Sequence, residues 1–201
     1  MMAVGITWAD VARTHDQAQF STFGDLAIIR THAASARDRL ADMIACHRRW
    51  SSFLPFAPRS RATPQMAAAW LADHHARARA ELARLDGMSQ ISILAQDDQA
   101  APKTTGETLR ARAKAHAIRR DRSRKACHFF AQIGPAGPKV DRKTRVLPGG
   151  VATDILVPRS AVPAFADDLA QQLRQAPLEN WHCMITGPWP PLAFFEGPCN
   201  G

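Results

Sequence analysis

The chain has 201 residues, 46% of them hydrophobic, and a formal net charge of +8, enough apolar content for a real core in one domain or two small ones. No apolar run approaches the ~20 residues that a membrane helix needs. The four cysteines (Cys46, Cys127, Cys183, Cys199) contain no C-x-x-C pair, which favours reduced thiols in a cytoplasm over a disulfide framework.

The opening residues, MMAVGITWADVARTHDQ, lack a basic region followed by an apolar one, so no secretory leader is expected. Leu26–Ile29 reads as a short strand. From Ser35 to Trp50, Leu40, Met43, Ile44 and His47 recur at helical spacing with arginines on the other face, and Ser35 and Asp38 are placed as a capping box. Ser51–Pro58 is extended, because each proline biases its predecessor away from the helix. Thr63-Pro64 then opens a second helix, expected over 64–85, with Met66, Trp70, Leu82 and Leu85 in its apolar stripe and Asp86-Gly87 as the stop.

Gln90–Gln96 alternates as a strand, and Asp97–Thr105 is a polar linker. Glu107 to about Phe130 is helix-permissive and strongly basic. Gly134–Pro138 is a breaker. Arg145–Pro158 reads as two strands around a Pro-Gly-Gly turn, Val162–Arg174 as an amphipathic helix, and Trp181–Thr186 as a last strand. From residue 90 the order is therefore βαββαβ, the pattern of a ferredoxin-like domain whose antiparallel sheet carries both helices on one face. The expected fold class is α+β in two small domains: a smaller N-terminal one over 1–87 and a ferredoxin-like one over 88–201. No internal repeat is evident.

Residues 103–145 hold 13 Lys/Arg against 3 Asp/Glu, while the remainder holds 13 and 15. The excess charge thus lies in one block, densest at Arg119–Lys125, which suits an acidic partner or a phosphate backbone, or is simply a solvated helix face. A nucleic-acid-binding module using this block is the competing functional reading. Against it, strands QISILAQ and GVATDILVP have no aromatics on which bases stack, and tyrosine is absent.

No catalytic, cofactor or metal site is expected. His74-His75 is the one histidine pair, and adjacent helical residues diverge by roughly 100°. No spacing matches a zinc motif, and there is no G-x-S-x-G. Asp97-Asp98 and Asp167-Asp168 read as solvated carboxylates. Gly134–Lys139 lacks the Gly-Lys-Ser/Thr end of a phosphate loop, and its prolines remove the N–H groups that a phosphate would use.

Met184–Phe195, MITGPWPPLAFF, contains a P-x-x-P spacing, but it follows a core strand directly, so a structural terminus is expected rather than a polyproline ligand. Thr186, Gly187, Pro188, Trp189, Pro190 and Pro191, with Phe194, resemble the C-terminal TGPWPPYSF signature of the gas-vesicle GvpL/GvpF family; Leu192 and Ala193 stand where that signature has Tyr and Ser. Phe53-Leu-Pro-Phe56 is similar to the family's VLPLRFGT segment, and a helix with Trp70-Leu71 follows it. Gly106–Arg112 resembles its G-x-x-Y/F-L-x-x-R stretch, and Val151–Val157 its NAAFLV strand. Asp25-Leu-Ala27 is similar to part of DLAAVVS in its first domain.

The resemblance implies two α+β domains, the second ferredoxin-like. It also implies a non-enzymatic cytoplasmic protein, associated with the gas vesicle, that binds the small hydrophobic shell protein GvpA and assists nucleation or assembly. No membrane, small-molecule substrate or cofactor is implied. Two partner surfaces are expected: Phe53, Leu54 and Phe56 beside an interdomain groove, and the basic helix with Arg110, Arg112, Arg119, Arg120 and Arg122.

Overall fold

The computed structural model describes residues 1–13, 20–98, 109–133, 141–176 and 180–198. Residues 99–105 of the linker expected over 97–105, residues 106–108 of the family-like stretch and the breaker at 134–138 lie outside them. The chain forms two compact units, residues 1–90 together with 188–201, and residues 91–187.

The first unit runs β1 (Met2–Trp8), α1 (Ala9–Arg13), β2 (Phe20–Phe23), β3 (Leu26–Thr31), α2 (Ala36–Arg49), β4 (Leu54–Pro55) and α3 (Pro64–Leu85). Its sheet has the order β2-β3-β1-β4, with every neighbouring pair antiparallel. Alternation along β3 sends side chains to two different helices. Ile29 and Thr31 line a cavity with Asp42 and Cys46 of α2, and the Thr31 hydroxyl donates to Asp42. Ile28 and Arg30 line another with Gln65 and Ala68 of α3. The sheet is thus the middle layer, and β1 and β3 are apolar almost throughout because both of their faces are covered.

The helix starts follow the sequence signals. Ser35 Oγ accepts from Asp38 N at 3.0 Å, and its hydroxyl donates to the Asp38 carboxylate at 2.7 Å. Thr63 Oγ1 accepts from Met66 N at 3.2 Å, with Pro64 in the first turn, where no N–H is missed. Arginine does not keep to the solvent side of α2. Arg39 is buried, and its guanidinium donates to the carbonyls of Pro58 and Ala34 at 2.9 and 2.8 Å. Helix α3 kinks at His74 (φ −126°, ψ 21°), whose Nδ1 donates to the Trp70 carbonyl at 2.9 Å while its ring stacks on Trp70. A side chain inserted into the helical ladder is a recognised cause of such a bend.

The second sheet comprises β5 (Met88–Asp97), β6 (Arg142–Leu147), β7 (Gly150–Pro158) and β8 (Trp181–Trp189). Helix α4 (Leu109–Gln132) links the first two and α5 (Val162–Arg174) the last two. The order is β6-β7-β5-β8, the ferredoxin-like arrangement expected from the element pattern. One face forms the core. Ile91, Ile93, Ala95, Val151, Ile155 and Val157 pack with Ala126, Phe130 and Ile133 of α4 and with Phe165 and Leu169 of α5. Each large apolar side chain buried there contributes about 2 kcal/mol of transfer free energy. Pro148-Gly149 turns β6 into β7, with Gly149 at φ 79°, the value that the third residue of a type II turn requires.

Two readings of the sequence change here. The first unit has a four-stranded sheet rather than the single strand and two helices expected. Its β1-α1-β2-β3-α2-β4 succession and strand order also repeat those of β5-α4-β6-β7-α5-β8. Second, the segment from Pro188 belongs to the first unit instead of ending the second, and the division falls at Gln90/Ile91. Strand β8 also continues past Thr186, where the last strand was expected to end, through Gly187 and Pro188 to Trp189.

Candidate functional surfaces

The C-terminal motif is a packing device. After β8, the amides of Leu192 and Phe194 donate to the carbonyls of Pro190 and Pro191 at 2.6 and 3.0 Å, tightening residues 190–194 into successive turns. Two side chains of the first unit hold this coil: Gln90 Oε1 accepts from Ala193 N at 2.9 Å, and Arg84 Nη2 donates to the Phe194 carbonyl at 2.9 Å. Phe195 then stacks on Phe56 with ring centroids 6.5 Å apart and meets Trp70 edge-on at 5.9 Å. Such aromatic geometries add roughly 0.5–1.5 kcal/mol beyond the area they bury. A Cβ at Gly197 would collide with both phenyl rings, so only glycine fits that close approach. Pro190, Pro191, Phe194 and Phe195 are buried, Pro188 is exposed and Trp189 half-buried, so the P-x-x-P spacing is not presented as a free ligand. Thr186 reaches the Ser92 carbonyl at 3.4 Å, and Gly187 supplies a φ of 127°.

Phe53, Leu54 and Phe56 are all at most 1% exposed. The Phe53 ring lies where a Cβ on Gly5 would stand, and Phe56 lies under Phe195. These side chains fill the first unit's core, so the partner-facing role expected for them is corrected to packing. Strand β4, which carries Leu54, is an edge of its sheet, yet its side chains are spent on the core.

The basic helix divides into two parts. Towards its C-terminal end, Ala126, Phe130 and Ile133 anchor α4 in the core. Arg122, expected to face a partner, instead pairs with the buried Asp97 carboxylate at 2.9 Å, and Asp97 sits in β5 rather than in a linker. Arg124 and Lys125 share Asp121 at 2.8 and 3.1 Å, and those two hydrogen bonds, the Lys125 one foremost, hold the Asp121 carboxyl below its usual range. Arg110 and Arg120 are exposed. Arg112 and Arg119 lie on the helix, but their side chains are outside those described.

Beside this helix, a groove of about 810 Å³ runs between α4 and the β6–β7 hairpin, lined by His116, Arg120 and Arg124 on one side and by Val146, Leu147 and Pro148 on the other. Sequence reasoning found its basic wall but not the hairpin wall, because Val146 is far along the chain and reads as ordinary strand.

The opposite face of the second sheet carries Ser92 on β5, Asp154 on β7 and Arg145 on β6. The Ser92 hydroxyl donates to Asp154 at 2.6 Å and the Arg145 guanidinium donates at 2.5 Å. Asp154 is only 1% exposed. No Phe, Tyr or Trp of β5, β6 or β7 stands beside them, the rings on which bases stack most readily.

His74 and His75 turn to different partners, the Trp70 carbonyl and the Asp25 carboxylate. Among the described residues no cluster of His, Cys, Asp or Glu is placed to hold a metal, and no helix is long and apolar enough to cross a membrane. Burial raises the thiols of Cys46, Cys127 and Cys183, which makes each of them a poorer nucleophile at neutral pH.

No protein-family model matches the chain, and no curated protein matches it in sequence. Solved structures do match over its whole length. The gas vesicle protein GvpF from Anabaena sp. PCC7120 superposes with a TM-score of 0.63 at 12% identity, covering 100% of this chain and 98% of that one. GvpF from Microcystis aeruginosa gives 0.62 at 10% identity, covering 96% and 97%. The chain therefore has the two-unit α+β fold of the GvpF gas vesicle proteins, the same family that its TGPWPP segment resembles.

Proposed function

We propose that this chain is a gas-vesicle accessory or minor shell-associated protein that binds the hydrophobic shell protein GvpA and assists nucleation or assembly of the vesicle. The observation that carries this reading is the full-length likeness to GvpF at 98% coverage of that chain, joined to the TGPWPP motif at the same end of the sequence. The physical logic is that a small subunit with exposed apolar surface aggregates unless a partner shields it before it joins the wall. In this reading the protein works in the cytoplasm and on the vesicle through binding surfaces, without a catalytic pocket or cofactor.

Coexpression with GvpA tests it. The chain is expected to co-purify with GvpA and to raise the soluble fraction of the shell protein several-fold. Neither co-purification nor a gain in solubility would overturn the reading.

A further inference from the structure

The exposed half of α4 is unusual for a helix in a folded protein. At about 1.5 Å per residue its 24 residues span roughly 36 Å, against roughly 20 Å for the six-residue β6 beside it. Every described side chain of the stretch from Arg110 to Arg120 is exposed. Its alanines favour the helix, but it holds no acidic residue, and cations face cations at Arg110–Lys114 and Arg120–Arg124. Pairs of like charge four residues apart weaken a helix, as do cations at its positive N-terminal end. Among the described residues, neither His116 nor Arg120 has an ion-pair partner.

The groove sits against this helix. One wall is basic, with Arg120 and Arg124 beside His116. The other is the turn of the β6–β7 hairpin, with Pro148 and with Val146 at 62% exposure, and Ala117 adds apolar surface on the helix side. Strand β6 is also an edge of its sheet and carries Arg142, Lys143 and Arg145 without an acid.

We infer that this groove is a docking site for an acidic, partly apolar segment of a protein partner. Its carboxylates lie along Arg120, Arg124 and His116, and an apolar side chain rests on Val146 and Pro148. Charge complementarity identifies the occupant: Asp121, the one acid in the α4 sequence, is already shared by Arg124 and Lys125, so an anionic segment supplies the countercharge that the residues around Arg120 lack. The apolar wall selects a peptide over RNA, since no Phe, Tyr or Trp lines the groove on which a base would stack.

The test is fluorescence anisotropy with the intact chain and a fluorescein-labelled 12-residue peptide of repeating Leu-Glu-Ser-Glu. Controls are the same peptide with Lys for Glu and a 12-nucleotide single-stranded RNA. Binding of the acidic peptide is expected to weaken at least tenfold in Arg120→Glu/Arg124→Glu. It should hold within twofold in Arg37→Glu/Arg48→Glu, an equal charge change on exposed residues of α2. Val146→Ser should weaken it about threefold at raised salt, where the apolar contact carries more of the affinity. Absence of peptide binding, equal loss in the two double variants, or RNA binding as tight as peptide binding with the same dependence on Arg120 and Arg124 would each overturn the inference. All three variants alter exposed side chains, and a thermal melt by circular dichroism confirms folding. The outcome is independent of GvpA, so failure here and failure of the coexpression experiment are separate results.

Discussion

At the scale of single residues, what matters is whether a polar group has been taken out of water and what it met there. Burial, seconded by the neighbouring Asp42 carboxylate, pushes the Cys46 thiol from 9.0 to about 12. At pH 8 its thiolate is then roughly a thousandfold scarcer than that of an ordinary thiol. Iodoacetamide at pH 8, followed by mass spectrometry, should label Cys46 far more slowly than Cys127. Equal rates would refute this environment for Cys46. The folded state keeps this proton above pH 9, where the unfolded chain releases it, so this group lowers stability as pH rises past 9. Arg122 presents the converse case. Its removal strands the Asp97 carboxylate, 4% exposed, without its cation. Arg122→Ala is expected to cost about 3 kcal/mol in urea unfolding, and Asp97→Asn in the same chain to recover part of the loss. An Arg in a basic run carries no mark in the sequence that it serves a buried acid twenty-five positions away, which is why Arg122 reads as surface charge.

Among elements, those that were legible from residues alone follow local rules. Caps at Ser35 and Thr63, the Pro-Gly-Gly turn and the amphipathic α5 each announce themselves within one or two turns of chain. Strand β1 does not. MAVGITW lies between β3 and β4 and is buried from Ala3 to Thr7, and a strand covered on both faces loses the alternation by which strands are found. The repeat of βαββαβ is hidden for a related reason: α1 has five described residues where α4 has twenty-four, so topology recurs while length and composition do not. The coil after β8 carries the sharpest test at this scale. Phe195 is 2% exposed against Phe56 and Trp70, and Phe195→Ala should cost about 3 kcal/mol in urea unfolding. Limited proteolysis should then cut within 190–198 at protease concentrations that leave the parent intact.

Taken whole, the molecule makes its first unit from two stretches of sequence separated by the entire second one. A fragment of residues 1–90 therefore lacks part of its own core. It should bind the dye ANS and melt with low cooperativity, and a synthetic peptide of residues 188–198 added in trans should reduce dye binding and sharpen the transition. A fragment that melts as sharply alone as with the peptide would show that the coil adds nothing to that core. The TGPWPP motif was legible as a family-like signature and as structure, but the core it completes was not, since contacts such as Arg84 with Phe194 span more than a hundred residues.

That arrangement also sets a timetable. Residues 188–198 leave the ribosome only after all of 91–187, so the aromatic seat formed by Phe56 and Trp70 stays open while the second unit is being synthesised. Domains ordinarily finish in the order in which they are made. Here the half begun first is completed last, and a nascent chain stalled anywhere in the second unit carries an unfinished first one.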